Sequence, residues 1–301
     1  MSTRYRADHG LTRRMVLVMF LLGAIYVAAM GVVIVMTNNW VIPIAIALAF
    51  AVGQWYFSDK VALWALHARE VTPEQAPELH GMIDRLVALA DMPKPRVAFA
   101  DTMVPNAFAT GRSQKNAVIV VTRGILDRLT AEELEGVLSH ELSHVAHKDV
   151  AVMTIASFLG VLAGIVARYG MYAGMGRDSR DQNAAIVILV VWAVSLAVYA
   201  LSFVLTRALS RYRELAADRA AAYLTGRPSD LASALVKLSD GMDSIPDKDL
   251  RKSQAMNAFA FAPALRSDKA HGVLALISTH PSTEKRLEQL ANISAELGRR
   301  V

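Results

Sequence analysis

Long apolar segments constrain this chain more than any other feature. Four stretches are apolar, contain no acidic residue and approach the roughly 20 residues that cross a bilayer as a helix: 15–36, 40–57, 150–173 and 184–205. The second is the weakest, because it is short and carries Pro43 and Gln54. With 54% hydrophobic residues in 301, the chain is too apolar for an ordinary soluble domain. The sequence predicts an α-helical membrane protein with about four transmembrane helices.

Other features narrow the class of protein. The first apolar run is longer than the roughly 7 to 15 residues of a signal-peptide core, so we expect an uncleaved anchor. The chain has no cysteine, so a disulfide framework is excluded and a metal site has to use histidine and carboxylate ligands. The net charge of +5 comes from basic residues at the ends of the apolar segments. They suit orientation in a lipid bilayer, and we expect no nucleic-acid partner.

The distribution of arginines predicts which side of the membrane each part occupies. Four arginines precede the first span, whereas the 37–39 connection is uncharged, which favours a cytoplasmic N-terminus. Two crossings then place 58–149 in the cytoplasm. The loop after the third segment opposes this orientation, because Arg168, Arg177 and Arg180 would face outward. Either the orientation is different, or 150–173 and 184–205 form a hairpin that does not fully cross.

The polar parts have their own pattern. A helix is predicted from Thr72 to Ala90 with Pro73 in its first turn, followed by a small sheet over 97–122. A T-x-x-E capping box starting at Thr130 begins the next helix. Further helices are predicted over 210–224, 229–239 and 281–297. The resulting division is an N-terminal membrane hairpin (1–58), a cytoplasmic part (59–149), a second membrane hairpin (150–206) and a C-terminal helical part (207–301).

The capped helix carries the stretch HELSHVAHKD at 140–149. Residues four apart share one helix face, so His140 and His144 can direct imidazole nitrogens at one point and form half of a tetrahedral zinc site. Glu141 lies beside that face, where its carboxylate can take a proton from a water molecule that attacks an amide carbonyl. This is the arrangement of the H-E-x-x-H signature.

A catalytic zinc needs a third protein ligand. Glu214, in SRYRELAAD after the fourth apolar segment, is the best candidate, and Asp218 lies one turn further on the same face. Asp218 suits a supporting role in which it accepts a hydrogen bond from a ligand imidazole. Spacing alone leaves a second interpretation open, in which both carboxylates pair with nearby arginines on a solvated helix: Arg211, Arg213 and Arg219.

Three motifs, HELSHVAHKD, SRYRELAAD and THPSTEKR, occur in this order with two apolar segments between the first and second. In this combination the chain resembles the HtpX family of bacterial membrane-bound zinc metalloproteases, which are related to the CAAX prenyl proteases. The resemblance implies a mainly α, zincin-like protease domain with a small sheet and one zinc ion per chain. It also implies degradation of misfolded or damaged membrane proteins, or of unfolded polypeptide, at the bacterial cytoplasmic membrane with a cytoplasmic active site.

The implied roles are these: zinc ligands His140, His144 and Glu214, general base Glu141, and supporting residues Asp218 and Asp149. His147 stands where many relatives lack a histidine. We interpret it as a surface residue, because its position relative to His140 drifts off the metal-facing point.

Two further residues are candidates on the substrate side. Asn106 lies in an irregular stretch between Pro105 and Gly111 and can face the site, and the neighbouring NAFATG segment or 116–122 can offer a sheet edge to a peptide. By resemblance, His280 stands near the substrate carbonyl and helps to stabilise the oxyanion. A purely structural role for His280, at the start of a helix, remains open.

Two other functions compete with a membrane endopeptidase. A prenyl-protein peptidase of the CAAX type is related in sequence, but those proteins usually have more spans. A non-catalytic membrane scaffold that keeps the zinc fold would not require a base at Glu141. A transporter is disfavoured because the apolar segments hold almost no ionisable groups.

Overall fold

The structure is a computed structural model of the 301-residue chain. It describes residues 13–25, 66–149, 182–242 and 280–298, together with scattered helical residues between 41 and 64 and at 152–153. Within these ranges the protein is mainly helical, with one small mixed sheet. The predictions for 40–57 and 150–173 fall largely outside the described residues.

The predicted sheet is present. It has four strands: β1 (Arg69–Glu70), β2 (Arg96–Ala100), β3 (Ala107–Thr110) and β4 (Val118–Thr122). Their order is β1-β2-β4-β3, with β2 and β4 parallel and the other pairs antiparallel. Strand β4 therefore lies inside the sheet, with all five residues buried, and the suggestion that 116–122 offers a free edge is wrong. The two edge strands are β1 and β3.

The first helix beside the sheet, α1 (Pro77–Ala90), begins later than predicted. Pro73 is not its first residue. Instead, the backbone N–H groups of Gln75 and Ala76 both donate to the carbonyl of Thr72 and close a separate turn. Both prolines satisfy the geometry of a first helical position, so the sequence alone could not choose between them.

After the short helix α2 (Arg123–Leu126), helix α3 (Ala131–Ala146) carries the HELSH motif. Its predicted capping box is confirmed: Glu133 N donates to Thr130 Oγ1 at 3.3 Å, and Thr130 N donates to Glu133 Oε2 at 2.9 Å. The helix ends at Ala146 with His147 as its C-cap, and Lys148 takes a left-handed conformation with φ 57°. This turn brings the following residue, Asp149, back towards the helix.

Helix α4 (Gln182–Thr225) is a single element of 44 residues. The prediction had separated the span 184–205 from a later polar helix at 210–224, but no proline or glycine lies between them to end the helix. The part from Trp192 to Thr225 is the one helix among the described residues that is long and apolar enough to cross a membrane. Apolar side chains such as Leu189, Leu196 and Leu201 are exposed along it.

Two more helices complete the described fold, α5 (Pro228–Met242) and α6 (Thr283–Gly298). Helix α6 was predicted to begin at Pro281. It begins two residues later, at Thr283, so the proline precedes the helix. Helix α3 lies between the sheet and helices α4 and α5, and one core of apolar side chains joins them: Ile83, Ile119, Val137, Leu142, Leu231 and Leu290. A Cβ atom at Gly136 would lie 3.1 Å from the backbone of Leu231, so glycine permits this close approach of α3 to α5.

The N-terminal helical segment, residues 13–25, packs against α4. Val18 and Leu22 form a buried cluster with Leu209, and the guanidinium of Arg14 lies 5.9 Å from the ring centre of Tyr212. This cluster lies about one turn of α4 before Glu214. The apolar part of the chain is therefore in direct contact with the helix that carries the site.

Candidate metal centre

Two helices bring together three side chains that could hold a metal ion. His140 and His144 come from α3, and Glu214 comes from α4. One ligand atom from each residue lies within 4.8 Å of the other two. All three residues are at most 9% exposed. Sequence positions that are 70 residues apart thus meet at one buried point.

The distances between the ligand atoms match a metal of zinc's size. Nε2 of His140 and Nε2 of His144 are 3.2 Å apart. Glu214 Oε2 lies 3.6 Å from the first nitrogen, and Oε1 lies 3.5 Å from the second. Ligands placed tetrahedrally at about 2.0–2.1 Å from zinc would be about 3.3–3.4 Å from one another. The donor set, two imidazoles and one carboxylate, is also one that zinc favours in catalytic sites.

Each histidine is oriented by a carboxylate on its other ring nitrogen. His140 Nδ1 lies 2.9 Å from Asp218 Oδ1, and His144 Nδ1 lies 2.6 Å from Asp149 Oδ2. A carboxylate at Nδ1 favours the tautomer that leaves the Nε2 lone pair free for a metal. The structure thus brings Asp218 to His140 and Asp149 to His144, and their supporting role remains a prediction.

The charges around His144 shift two ionisation equilibria. Burial opposes the imidazolium, but the hydrogen bond to Asp149 and the neighbouring Glu214 outweigh it and raise the pKa of His144 to about 10. Burial likewise opposes the charged form of Asp149, but the Arg213 guanidinium 2.7 Å away and the bond to His144 lower the pKa of that carboxyl to about 2. Without metal, the pair is an imidazolium and a carboxylate.

Glu141 is buried next to the ligands and is held by the edge strand. The backbone N–H of Ala109 in β3 donates to Glu141 Oε2 at 2.9 Å. Burial raises the pKa of the Glu141 carboxyl, although the nearby histidines oppose this shift. A carboxylate with a raised pKa accepts a proton more readily near neutral pH. Strand β3 thereby fixes this carboxylate beside the ligand set.

Of the remaining candidates, His280 lies at the site, and Asn106 is buried directly before β3. His280 Nδ1 is 3.1 Å from Glu214 Oε2. The N–H and carbonyl of Asn106 bind Thr122 in the neighbouring strand, and its predicted role towards substrate remains a prediction. His147 is exposed at the end of α3, which agrees with its interpretation as a surface residue, and its Nδ1 donates to the carbonyl of Ser143 at 2.8 Å.

The geometry contradicts the second interpretation of Glu214 and Asp218, in which they pair with Arg211, Arg213 or Arg219 on a solvated helix. Glu214 and Asp218 do not lie on a solvated face, and Arg213 pairs instead with Asp149. The residue that sequence reasoning missed is Arg286, which is fully buried and hydrogen-bonded to Asp218. It is the last residue of the THPSTEKR motif, so the signal was present. A polar helix pattern gave no reason to bury that arginine.

This geometry agrees with a comparison against protein families. The model for Peptidase family M48 matches residues 73–294, a range that includes every residue of the candidate centre. The chain belongs to peptidase family M48. Its membership makes it a metalloendopeptidase.

Named relatives support the same assignment over nearly the full length. The chain is 56% identical to "Protease HtpX homolog 1" of Streptomyces coelicolor over 298 residues, covering 99% of this chain and 97% of the relative. It is 48% identical to "Protease HtpX homolog 2" of Methanosarcina acetivorans, covering 99% of this chain and 100% of the relative. The chain is therefore an HtpX-type protease, and the predicted family is confirmed.

A solved structure shares the fold of this HtpX-type chain. The crystal structure of S. mikatae Ste24p matches with a TM-score of 0.53 at 19% identity, covering 89% of this chain. The match spans 62% of the Ste24p chain. At this identity the likeness concerns the fold alone. The long apolar helix and the HtpX relatives agree with association of this protein with a membrane.

Proposed function

We propose that this HtpX-type protease is a zinc-dependent integral membrane endopeptidase that cleaves misfolded or damaged membrane proteins. The observation that carries the proposal is the meeting of His140, His144 and Glu214 within 4.8 Å, next to the buried carboxylate of Glu141. The three ligands are His140, His144 and Glu214, with one zinc ion per chain.

A zinc ion in this site would act as a Lewis acid towards the peptide carbonyl and would lower the pKa of water. The chain's own residues then have separate tasks. Glu141 accepts the proton of the attacking water and returns it to the departing amine nitrogen. The N–H of Ala109 keeps the Glu141 carboxylate in place during both transfers. His280 lies next to Glu214 and donates a hydrogen bond to the developing oxyanion.

The position of the site suits substrates that emerge from a bilayer. Glu214 lies on the same helix as the apolar run 184–205, beyond its end, so the ligand is held close to the membrane surface. Strand β3 is one of the two edge strands of the sheet, and its Ala109 N–H binds Glu141, so an extended peptide added to this edge would pass the base. We further propose the bacterial cytoplasmic membrane, with the active site on the cytoplasmic side, as its location.

The alternatives have less support. The likeness to Ste24p concerns the fold alone, so it does not favour prenyl-protein cleavage for this chain. A non-catalytic scaffold would not need a buried carboxylate next to the ligands, as Glu141 is when the N–H of Ala109 binds it. Membrane-protein or unfolded polypeptide substrates therefore remain the proposed partners, together with lipid and without nucleic acid.

The test uses purified full-length protein in detergent. Wild type should contain one zinc per chain and cleave casein or a membrane-protein substrate, and a chelator should stop cleavage. Glu141→Gln preserves the shape of the side chain but removes the proton acceptor, so it should retain zinc and lose cleavage by several orders of magnitude. Cleavage by Glu141→Gln near the wild-type rate would overturn the role of the base. Purified wild type that contains no zinc would overturn the metal assignment.

A further inference from the structure

Arg286 is the largest fully buried side chain in the described part of the protein. It reaches the metal centre from α6 and binds Asp218 with two hydrogen bonds, Nε to Oδ2 at 2.7 Å and Nη2 to Oδ1 at 2.6 Å. Its third nitrogen, Nη1, lies 3.9 Å from Glu214 Oε2. A single guanidinium thus faces both acidic residues that α4 contributes.

Such an arrangement is costly if its only purpose is stability. Taking a guanidinium and a carboxylate out of water costs free energy that their attraction often fails to recover, and apolar residues of similar volume commonly stabilise a core as well. The pair has a different effect on geometry. A planar guanidinium fork fixes the plane and direction of a carboxylate in a way that a single hydrogen bond does not.

The two acidic residues that face Arg286 have similar chemistry and lie one helical turn apart. Both oxygens of Asp218 are engaged by Arg286, and Oδ1 also faces His140 Nδ1 at 2.9 Å. The oxygens of Glu214 instead face the Nε2 atoms of the two histidines. The guanidinium therefore binds the carboxylate of Asp218 away from the metal position, whereas the carboxylate of Glu214 points at that position.

We propose that Arg286 is a positioning residue that fixes Asp218 as the partner of His140 and prevents Asp218 from replacing Glu214 as a metal ligand. This inference rests on the proposed zinc site. It makes the C-terminal helix α6 part of the metal centre, although that helix contributes no metal ligand of its own.

The second histidine has a parallel arrangement, which supports the inference. His144 Nδ1 lies 2.6 Å from Asp149 Oδ2, and Arg213 Nη2 lies 2.7 Å from the same oxygen. Each histidine is thus backed by a carboxylate, and each carboxylate by a buried arginine. The two arginines balance the charge of the two supporting carboxylates, so Glu214 and Glu141 are left to face the metal.

The experiment measures zinc affinity of the full chain in detergent by competition with a chromophoric chelator. Arg286→Gln should weaken zinc binding about 10 to 100-fold, the range found when partners of ligand residues are lost. Arg286→Lys restores the charge without the fork and should fall between Arg286→Gln and wild type.

A matched control separates positioning from general destabilisation. Lys237 Nζ lies 2.7 Å from Oε1 of the buried Glu133, away from the histidines. Lys237→Gln also strips a cation from a buried carboxylate, so it should lower the melting temperature but leave zinc affinity unchanged. Wild-type zinc affinity in Arg286→Gln, with a melting temperature lowered as in the control, would overturn the proposal. Affinity equal to wild type in Arg286→Lys would overturn the need for the fork.

A double-mutant cycle tests whether Arg286 acts through Asp218. In an Asp218→Asn background, Arg286→Gln should cost much less zinc affinity than it does in wild type, because the carboxylate that it positions is gone. Equal losses in the two backgrounds would contradict the mechanism. Failure of wild type to bind zinc would instead refute the proposed function, so the two failures are distinguishable.

Discussion

At the scale of single residues, the site separates two roles that the sequence presents as near equivalents. Glu214 and Asp218 lie one turn apart on α4, and both face His140, but through different ring nitrogens: Glu214 is nearest Nε2 and Asp218 is nearest Nδ1. A ligand and a supporting acceptor are therefore distinguished by which side of an imidazole each approaches. This difference is a property of side-chain direction, which residue spacing does not specify.

The two roles predict different losses on truncation. Glu214→Ala leaves two histidines on the metal, so zinc binding should weaken by more than the roughly 10 to 100-fold expected for Asp218→Ala. At a zinc concentration that saturates wild type, the Glu214 variant should also melt at a lower temperature. Zinc stoichiometry and melting temperature are measured for both variants in one detergent. Full zinc occupancy in Glu214→Ala, with loss in Asp218→Ala, would exchange the two assignments.

A second prediction at this scale concerns protons. The pKa of His144 is raised to about 10, so its imidazole is protonated in the metal-free protein at pH 7.5. A ligand imidazole must be neutral, so zinc uptake should release protons and apparent zinc affinity should rise with pH. The stability of the metal-free fold depends on pH in the opposite direction. The raised pKa stabilises the metal-free fold fully below the ordinary value of 6.5, and that contribution is lost as the pH rises through about 10.

Calorimetric titration with zinc in two buffers of equal pH and different ionisation enthalpy measures the released protons. Asp149→Asn is the control, because it keeps an acceptor at His144 Nδ1 but removes the negative charge, and it should release fewer protons. Identical heats in both buffers for wild type would contradict the raised pKa of His144.

At the scale of elements, the sequence was most informative where local chemistry decides the structure. The capping box at Thr130 and Glu133 satisfies two backbone donors by residues only three apart, so it could be recognised without knowledge of the fold. The small sheet followed from its β-branched composition. The HELSH pair follows from helical spacing alone, and the structure brings its histidines to within 3.2 Å of one another.

The elements that were misjudged depend on tertiary contacts. The break predicted between 184–205 and 210–224 came from a change in polarity, yet a helix passes from apolar to polar surroundings without a break when its backbone hydrogen bonds continue. The position of β4 inside the sheet depends on the crossover between β2 and β3. The burial of Arg286 depends on Asp218, 68 residues earlier. No local pattern contains this information.

At the scale of the whole molecule, the metal centre joins parts of the chain that are far apart in sequence. Helix α3 supplies two histidines, α4 supplies Glu214, the proposed carboxylate ligand, and α6 supplies the arginine that binds Asp218. The apolar core beside the sheet is a second contribution to stability, since Ile83, Ile119 and Val137 are fully buried in it. Metal loss and core loss should therefore affect different regions.

This separation predicts a local response to zinc removal. Chelation should speed amide hydrogen exchange in the last turns of α3 and around Glu214 in α4 together, because zinc stabilises only the state in which these segments meet. At a free zinc concentration of 1,000 times Kd, that stabilisation is about 4 kcal/mol. Strand β4, buried inside the sheet, should keep its protection.

Exchange is followed by mass spectrometry with and without chelator, and Glu141→Gln, which retains zinc, should match wild type in both conditions. A uniform rise across α3, α4 and β4 would show that metal binding is coupled to the whole fold rather than to the junction of the two ligand helices.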